Sequence, residues 1–180
     1  GKALPLPEAT AAVGYVKTTI DNPKASEISF AKTSDGASWG AVYGQSLQPI
    51  AAVKSANAGI RVERNIDTAG KSLRVGDKVK VTITIVADRD FDFVQLCDKR
   101  AACLEPVSQL SGYRNGYYLA PQDNCTNYFF DRLSKGKHVV ETEYFVDRPG
   151  SYLSGVCTAE CAYSPEFSGR AETVQIVVNE

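Results

Sequence analysis

DKVKVTITIV, at positions 77–86, changes character at every step from Lys78 to Ile85: Lys78, Lys80, Thr82 and Thr84 alternate with Val79, Val81, Ile83 and Ile85. A period of two puts the aliphatic set on one face of an extended chain and the polar set on the other, as in an antiparallel strand with one side on a core. The beat recurs on both sides of this stretch. Ile60, Val62 and Ile66 oppose Arg61, Glu63 and Asn65. Further along come Val140, Thr142, Tyr144 and Val146, then Leu153, Gly155, Cys157, Ala159 and Cys161, then Val174, Ile176 and Val178. Turn-forming triplets, Val75-Gly76-Asp77, Lys135-Gly136-Lys137 and Arg148-Pro149-Gly150, separate the runs. The pattern predicts about seven short strands and no amphipathic helix longer than two turns, which is the strand complement of an immunoglobulin-like sandwich. The expected class is all-β, an antiparallel β-sandwich over residues 57–180.

Composition narrows the function. With 20 Lys and Arg against 21 Asp and Glu, the net charge of -1 gives no footprint for nucleic acid or an anionic membrane surface. No apolar run approaches the roughly 18 to 20 residues of a membrane-spanning helix. The chain opens Gly1-Lys2, without an initiator Met or a signal-peptide core, and reads as a segment of a longer polypeptide. Five cysteines, Cys97, Cys103, Cys125, Cys157 and Cys161, contain no CxxC pair for zinc. Their number suits an oxidising compartment with up to two bridges and one thiol over; five reduced, partly buried thiols are the other reading.

Catalytic chemistry finds little support. The sole histidine, His138, shares a face with Val140 at the start of a strand, and no GxSxG elbow accompanies it. Ser134 and Lys137 match SxxK in spacing, but that motif needs a helix, and LSKGK reads as a turn. Asp88, Asp90 and Asp92 resemble the start of a calcium loop, yet Phe93 and Lys99 stand where such a loop needs Gly and an acid. No catalytic residue, metal site or cofactor is therefore expected.

Two regions escape the alternation. Residues 1–56 are rich in Ala, Ser and Thr, and hold Ile28 and Phe30 and then ASWGAVYGQ with Trp39, Ala41 and Tyr43. Between Asp98 and Asn124 lies a long segment without clear period, containing Tyr113, Arg114, Tyr117 and Tyr118. Loops of that length are usually functional, and Tyr and Arg bring large contact area to protein interfaces. These four residues are the candidate interaction loop. The plainer expectation is that Ala101, Leu104, Val107 and Leu110 form a short helical turn plugging one end of the sandwich.

Three blocks carry a family resemblance: DRDFDFVQLCDKRAACLEPVSQLSGYR from Asp88 to Arg114, NCTNYFFDRLSKG from Asn124 to Gly136, and CAYSPEFSGR from Cys161 to Arg170. In this order they resemble the terminal β-sandwich domain of bacterial alpha-2-macroglobulin-like proteins, particularly the long versions of Bacteroidetes. The WGAVYGQ element resembles the end of the CUB-like domain that precedes it, so residues 1–56 would be the C-terminal part of a CUB-like β domain and 57–180 the terminal macroglobulin-type domain. A small complete β-unit is the alternative for residues 1–56. The resemblance implies a non-catalytic region of a protease trap in the periplasm or at the cell surface. Its partners would be other domains of the same long chain and, through the parent protein, captured proteases. The thioester motif Cys-x-Glu-Gln of the family does not occur here. A surface immunoglobulin-like module binding carbohydrate or protein through the same Tyr-rich loop is the rival reading. Cys103 stands where the family carries Gly, and Cys97 and Cys125 are also departures. With strands in immunoglobulin order, the resemblance implies Cys97 paired with Cys157 and Cys103 with Cys125, leaving Cys161 free. Cys157 with Cys161 is disfavoured, since four residues of strand span roughly 13 Å.

Overall fold

The computed structural model describes residues 3, 4, 14, 16–21, 24, 27–67 and 72–180. The chain divides into two units, Gly1–Gly44 and Gln45–Glu180. Among the described residues of the first unit none lies in a helix or strand. Ile28, Phe30, Trp39, Ala41 and Tyr43, in the segment for which the resemblance implies a CUB-like β domain, lie in no ladder, and Trp39, Phe30 and Tyr43 are exposed.

Among its described residues the second unit is all-β apart from one turn of 3₁₀ helix at Ile50–Ala52. Its strands are β1 (Ala56–Ala58), β2 (Ile60–Asp67), β3 (Leu73–Arg74), β4 (Lys78–Ala87), β5 (Phe91–Lys99), β6 (Leu104–Pro106), β7 (Gly112–Arg114), β8 (Tyr117–Pro121), β9 (Cys125–Leu133), β10 (Gly136–Val146), β11 (Gly150–Leu153), β12 (Cys157–Cys161), β13 (Ser168–Ala171) and β14 (Gln175–Asn179). One sheet has seven strands in the order β1-β13-β12-β5-β9-β8-β7, a second has the order β2-β4-β10-β6, and a small third has the order β11-β14-β3. All pairings are antiparallel except β14 with β3. The alternation in DKVKVTITIV appears directly as burial: Val79, Val81, Ile83 and Ile85 are buried. They pack with Leu96, Tyr128, Phe130 and Tyr144 in one core.

The two large sheets are pinned together by polar contacts as well as by apolar area. The Thr126 and Tyr144 hydroxyls lie 2.9 Å apart, and those of Tyr128 and Thr142 lie 2.6 Å apart, each pair joining β9 to β10 across the layers. Burial pushes the Tyr144 phenol up to about 12 and the Tyr128 phenol higher. A neutral hydroxyl pair satisfies both groups without burying charge. Gly169 lets β13 cross close above β2, since a Cβ there would overlap the Ile60 carbonyl oxygen.

Among the described residues one ion pair lies in the interior. Arg64 projects from β2 and Asp98 from β5, and their side chains are 2% exposed each. The Arg64 Nη1 donates to Asp98 Oδ1 at 2.8 Å and to the Lys99 carbonyl at 3.2 Å. Its Nη2 donates to Ser154 Oγ at 2.5 Å, to the Gly155 carbonyl at 2.7 Å and to the Glu172 carbonyl at 3.3 Å. The guanidinium thus satisfies backbone carbonyls of the break between β11 and β12 that no ladder could reach. Burial raises the Asp98 carboxyl above the usual range, with Arg64 pulling the other way.

The segment between Asp98 and Asn124 differs from expectation. In place of a helical plug, Leu104 N–H closes a single turn on the Ala101 carbonyl, and the chain then enters β6, whose Glu105 pairs with Phe145 of β10. Ala101 and Leu104 are buried, but Leu110 is 75% exposed. The rest is a hairpin, β7 and β8, joined at Asn115-Gly116, where Gly116 has φ 90°. An Asn-Gly pair between two short Tyr-containing runs is a strong hairpin signal that the sparse periodicity hides.

Candidate interaction surface

The hairpin sorts the four predicted residues by register. Tyr113 pairs with Tyr118, Tyr118 with Phe129, and Phe129 with Gln95, so these side chains form a row on the outer face of the seven-stranded sheet. Tyr113 and Tyr118 meet edge to face with centroids 5.1 Å apart, and Tyr113 is 74% exposed. Tyr117 belongs to the other face. It packs against Tyr128 and Phe130 at 5.6 and 5.5 Å, and burial raises its phenol. Arg114 lies at the hairpin tip opposite Tyr117, with its guanidinium on the neighbouring Tyr113 carbonyl at 3.2 Å. The structure therefore brings Tyr113 and Tyr118 together and gives Tyr117 to the core. β7 is the outermost strand of its sheet, so one edge of its backbone is unpaired by the sheet.

Arg100 holds the base of this hairpin. Its Nε donates to the Leu104 carbonyl at 3.0 Å and its Nη2 to the carbonyls of Gln122 and Asp123 at 2.5 and 2.7 Å. Arg100 N–H also bonds the Asn124 carbonyl. The segment that seemed irregular in the sequence is thus clamped at both ends.

A second exposed aromatic pair was not singled out by the sequence. On β5 both Phe91 and Val94 point inward, and on β9 both Leu133 and Phe130 do, so Asp92, Phe93, Asp131 and Arg132 all face solvent without a change of register. Phe93 has φ 55°, a conformation costly for a bulky residue, and is 52% exposed. Its ring meets Tyr163, 80% exposed, at 5.4 Å and 88°. The signal was the broken alternation in FDFV, where two residues intervene between inward positions.

The Asp88, Asp90 and Asp92 triplet is dispersed. Asp88 pairs with Arg89 at 2.9 Å, and that hydrogen bond lowers its carboxyl. Asp90 accepts from Lys135 N–H at 2.8 Å and from Arg132 Nη2 at 2.7 Å, the Lys135 amide being first among the causes that lower it. His138 Nε2 contacts the Ser134 carbonyl at 2.7 Å.

All five cysteines are thiols in the structure, and neither expected bridge is formed. β5 does lie beside β12, but Cys157 pairs with Asp98 and Cys97 with Thr158. Cys97 consequently faces outward with Gln95, while Cys157 faces the core, and a register offset of one residue always separates faces in this way. Cys103 is buried at the turn into β6, whereas Cys125 heads β9 on the outer face, where its Sγ is 3.5 Å from Gln122 Oε1. Cys161 turns inward and bonds the Asp92 carbonyl at 3.2 Å.

Comparison with known proteins fits this architecture. The sequence profile of the family described as bacterial alpha-2-macroglobulin MG10 domain matches residues 55–166. Salmonella alpha-2-macroglobulin reacted with methylamine is similar in fold, with TM-score 0.64 and 22% identity over 73% of this chain and 10% of that one. Trypsin-activated alpha-2-macroglobulin from Escherichia coli gives 0.61 and 18% over 72% and 11%. The native E. coli protein from domain MG7 to the C-terminus gives 0.62 and 19% over 73% and 25%. This chain therefore spans about a tenth of the length of the first macroglobulins it matches. No curated protein sequence matches it. The profile covers most of the second unit, and the chain belongs to the bacterial alpha-2-macroglobulin MG10 domain family.

Proposed function

We propose that this is a non-catalytic shell and docking domain of a longer alpha-2-macroglobulin-like protease trap of the bacterial cell envelope. Its work is to seat neighbouring domains of the same polypeptide. The observation that carries the reading is the outward row of Tyr113, Tyr118 and Phe129, built on a clamped hairpin at the edge of the large sheet. Large aromatic side chains on a paired sheet are suited to binding a preformed surface at low entropic cost. The Phe93 and Tyr163 pair offers a second contact of the same kind. A family domain spanning about a tenth of its solved relatives has most of its natural neighbours within one chain. On this reading residues 1–56 are the tail of a CUB-like domain, residues 57–180 the terminal domain, and captured proteases are partners only through the whole protein.

The test is protease challenge of the longer protein, with and without methylamine, read by intact mass. Covalent protease adducts that methylamine abolishes, and that are reduced at least tenfold by Tyr113→Ser with Tyr118→Ser, support the reading. If no adducts form and large substrates are cut at the normal rate, the trap assignment fails. Binding of a carbohydrate or protein ligand by this chain alone would then place it among surface adhesion modules.

A further inference from the structure

Of the five thiols, only Cys97 and Cys125 share a face on adjacent strands. Cys97 pairs with Asn127 and Cys125 with Lys99, which makes the two cysteines diagonal neighbours on the outer side of β5 and β9. Cys125 is near enough to be one of the causes that raise the Cys97 thiol, after burial. Asn127, directly opposite Cys97, donates from Nδ2 to Cys125 Sγ at 3.5 Å, and Gln95 Nε2 in turn donates to Asn127 Oδ1 at 3.1 Å. The remaining thiols are elsewhere: Cys157 and Cys161 point inward from β12, and Cys103 is buried at the turn into β6.

We infer that Cys97 and Cys125 are a cross-strand dithiol that closes to a disulfide by exchange with a small-molecule or protein disulfide. Diagonal positions on paired strands are about 7–8 Å apart, just beyond the roughly 7 Å that a disulfide bridges without backbone movement. Closure therefore needs a small backbone movement at the start of β9, made against the Arg100 hydrogen bonds to the carbonyls of Gln122, Asp123 and Asn124. Cys125 is the first residue of that strand and follows the bend at Asp123-Asn124. A bond formed with such strain is more easily reduced than a structural one, so the pair is responsive to the redox state of its surroundings.

The order of steps follows from access. Cys97 is partly exposed, where Cys125 is buried, and lines a shallow cavity of about 150 Å³ with Gln95, Thr158, Glu160 and Ala162. Its thiolate attacks one sulfur of the reagent disulfide, giving a mixed disulfide and expelling one thiolate, which takes a proton. The Cys125 thiolate then attacks the Cys97 sulfur and expels the second. Two protein thiols are oxidised and one reagent disulfide is reduced to two thiols. Burial and the neighbouring Cys125 push the Cys97 thiol up to about 11, so only a small fraction is thiolate near neutrality and the rate rises with pH up to that value.

The experiment is titration of the 180-residue chain with oxidised glutathione, alkylation of unreacted thiols, tryptic digestion and mass mapping. Cys97, Cys103 and Cys125 fall on separate peptides, 90–99, 101–114 and 115–132, because of the flanking Arg and Lys residues. The expected product is 90–99 linked to 115–132, with Cys103, Cys157 and Cys161 recovered alkylated. In Cys125→Ser, Cys97 should stop at the glutathione adduct, and in Cys97→Ser, Cys125 should be alkylated. The inference is overturned if native protein yields a stable glutathione adduct at Cys97, if both thiols stay free under conditions that oxidise a model dithiol, or if the linked peptide joins another pair. Folding of each variant is checked by circular dichroism, so an unfolded variant is distinguished from an unreactive one.

Discussion

Replacing Arg64 with Leu removes a guanidinium from a socket in which it is 2% exposed and serves Asp98, Ser154 Oγ and the carbonyls of Lys99, Gly155 and Glu172. The loss exceeds one ion pair. Asp98 is left buried opposite an aliphatic side chain, and the carbonyls between β11 and β12 lose their donor. Removing one partner of a buried pair typically costs about 3–5 kcal/mol, against a total stability of about 5–15 kcal/mol for a domain. Arg64→Leu should therefore lower the urea midpoint sharply and the Tm by roughly 10 °C, at about 2–4 °C per kcal/mol. The cost should depend on pH. Burial already raises the Asp98 carboxyl, and losing Arg64 raises it further. A carboxyl whose folded pKa lies above its unfolded value stabilises the fold once protonated, so the variant recovers as pH falls through that folded pKa. Its deficit should be smaller at about pH 5 than at about pH 8. Arg64→Leu combined with Asp98→Leu should be less damaging than Arg64→Leu alone, because no charge is left stranded. Equilibrium urea unfolding followed by far-ultraviolet circular dichroism measures all three. A deficit below about 1 kcal/mol, or one equal at both pH values, would refute the reasoning.

Other outcomes follow from single contacts. Tyr144→Phe should cost about 1–2 kcal/mol in urea unfolding by leaving the Thr126 hydroxyl unpaired, and Thr126→Val with Tyr144→Phe should recover part of it. Gly169→Ala should destabilise by several kcal/mol or prevent folding, since its Cβ meets the Ile60 carbonyl; Gly116→Ala, with open space but φ 90°, should cost about 1 kcal/mol, and thermal melts compare the two. Asp90 is held below the usual carboxylate range by Lys135 N–H and Arg132, so its contribution is present above about pH 3.9 and is lost as pH falls further. Asp90→Asn should therefore flatten the acid limb of the stability curve, as an acid titration followed by circular dichroism would register.

The sequence made the sandwich readable because its strands are amphipathic. Val79 to Ile85 and Val140 to Val146 carry their burial in a simple alternation, and the structure places them on facing strands of one sheet. Arg64 was legible in principle: it shares the face of Val62 and Ile66, where an isolated charge implies a buried partner. That partner, Asp98, occupies the inward parity of Val94 and Leu96 on a strand 34 positions away, and only the fold brings the two together. The hairpin was hidden because β7 and β8 are too short to show a period, although Asn115-Gly116 marks the turn. Cys97 and Cys157 show the limit of strand-order reasoning. Neighbouring strands are inferable from a family, but a single step in register decides whether two side chains meet or face apart.

Whether the outer aromatic row is a docking surface within a longer chain is measured most directly by backbone hydrogen exchange across residues 112–121. In the longer protein these amides should exchange at least tenfold more slowly than in the 180-residue chain, and Tyr113→Ser with Tyr118→Ser should erase the difference. Equal exchange in the two contexts would contradict the claim that this surface is covered by its neighbours.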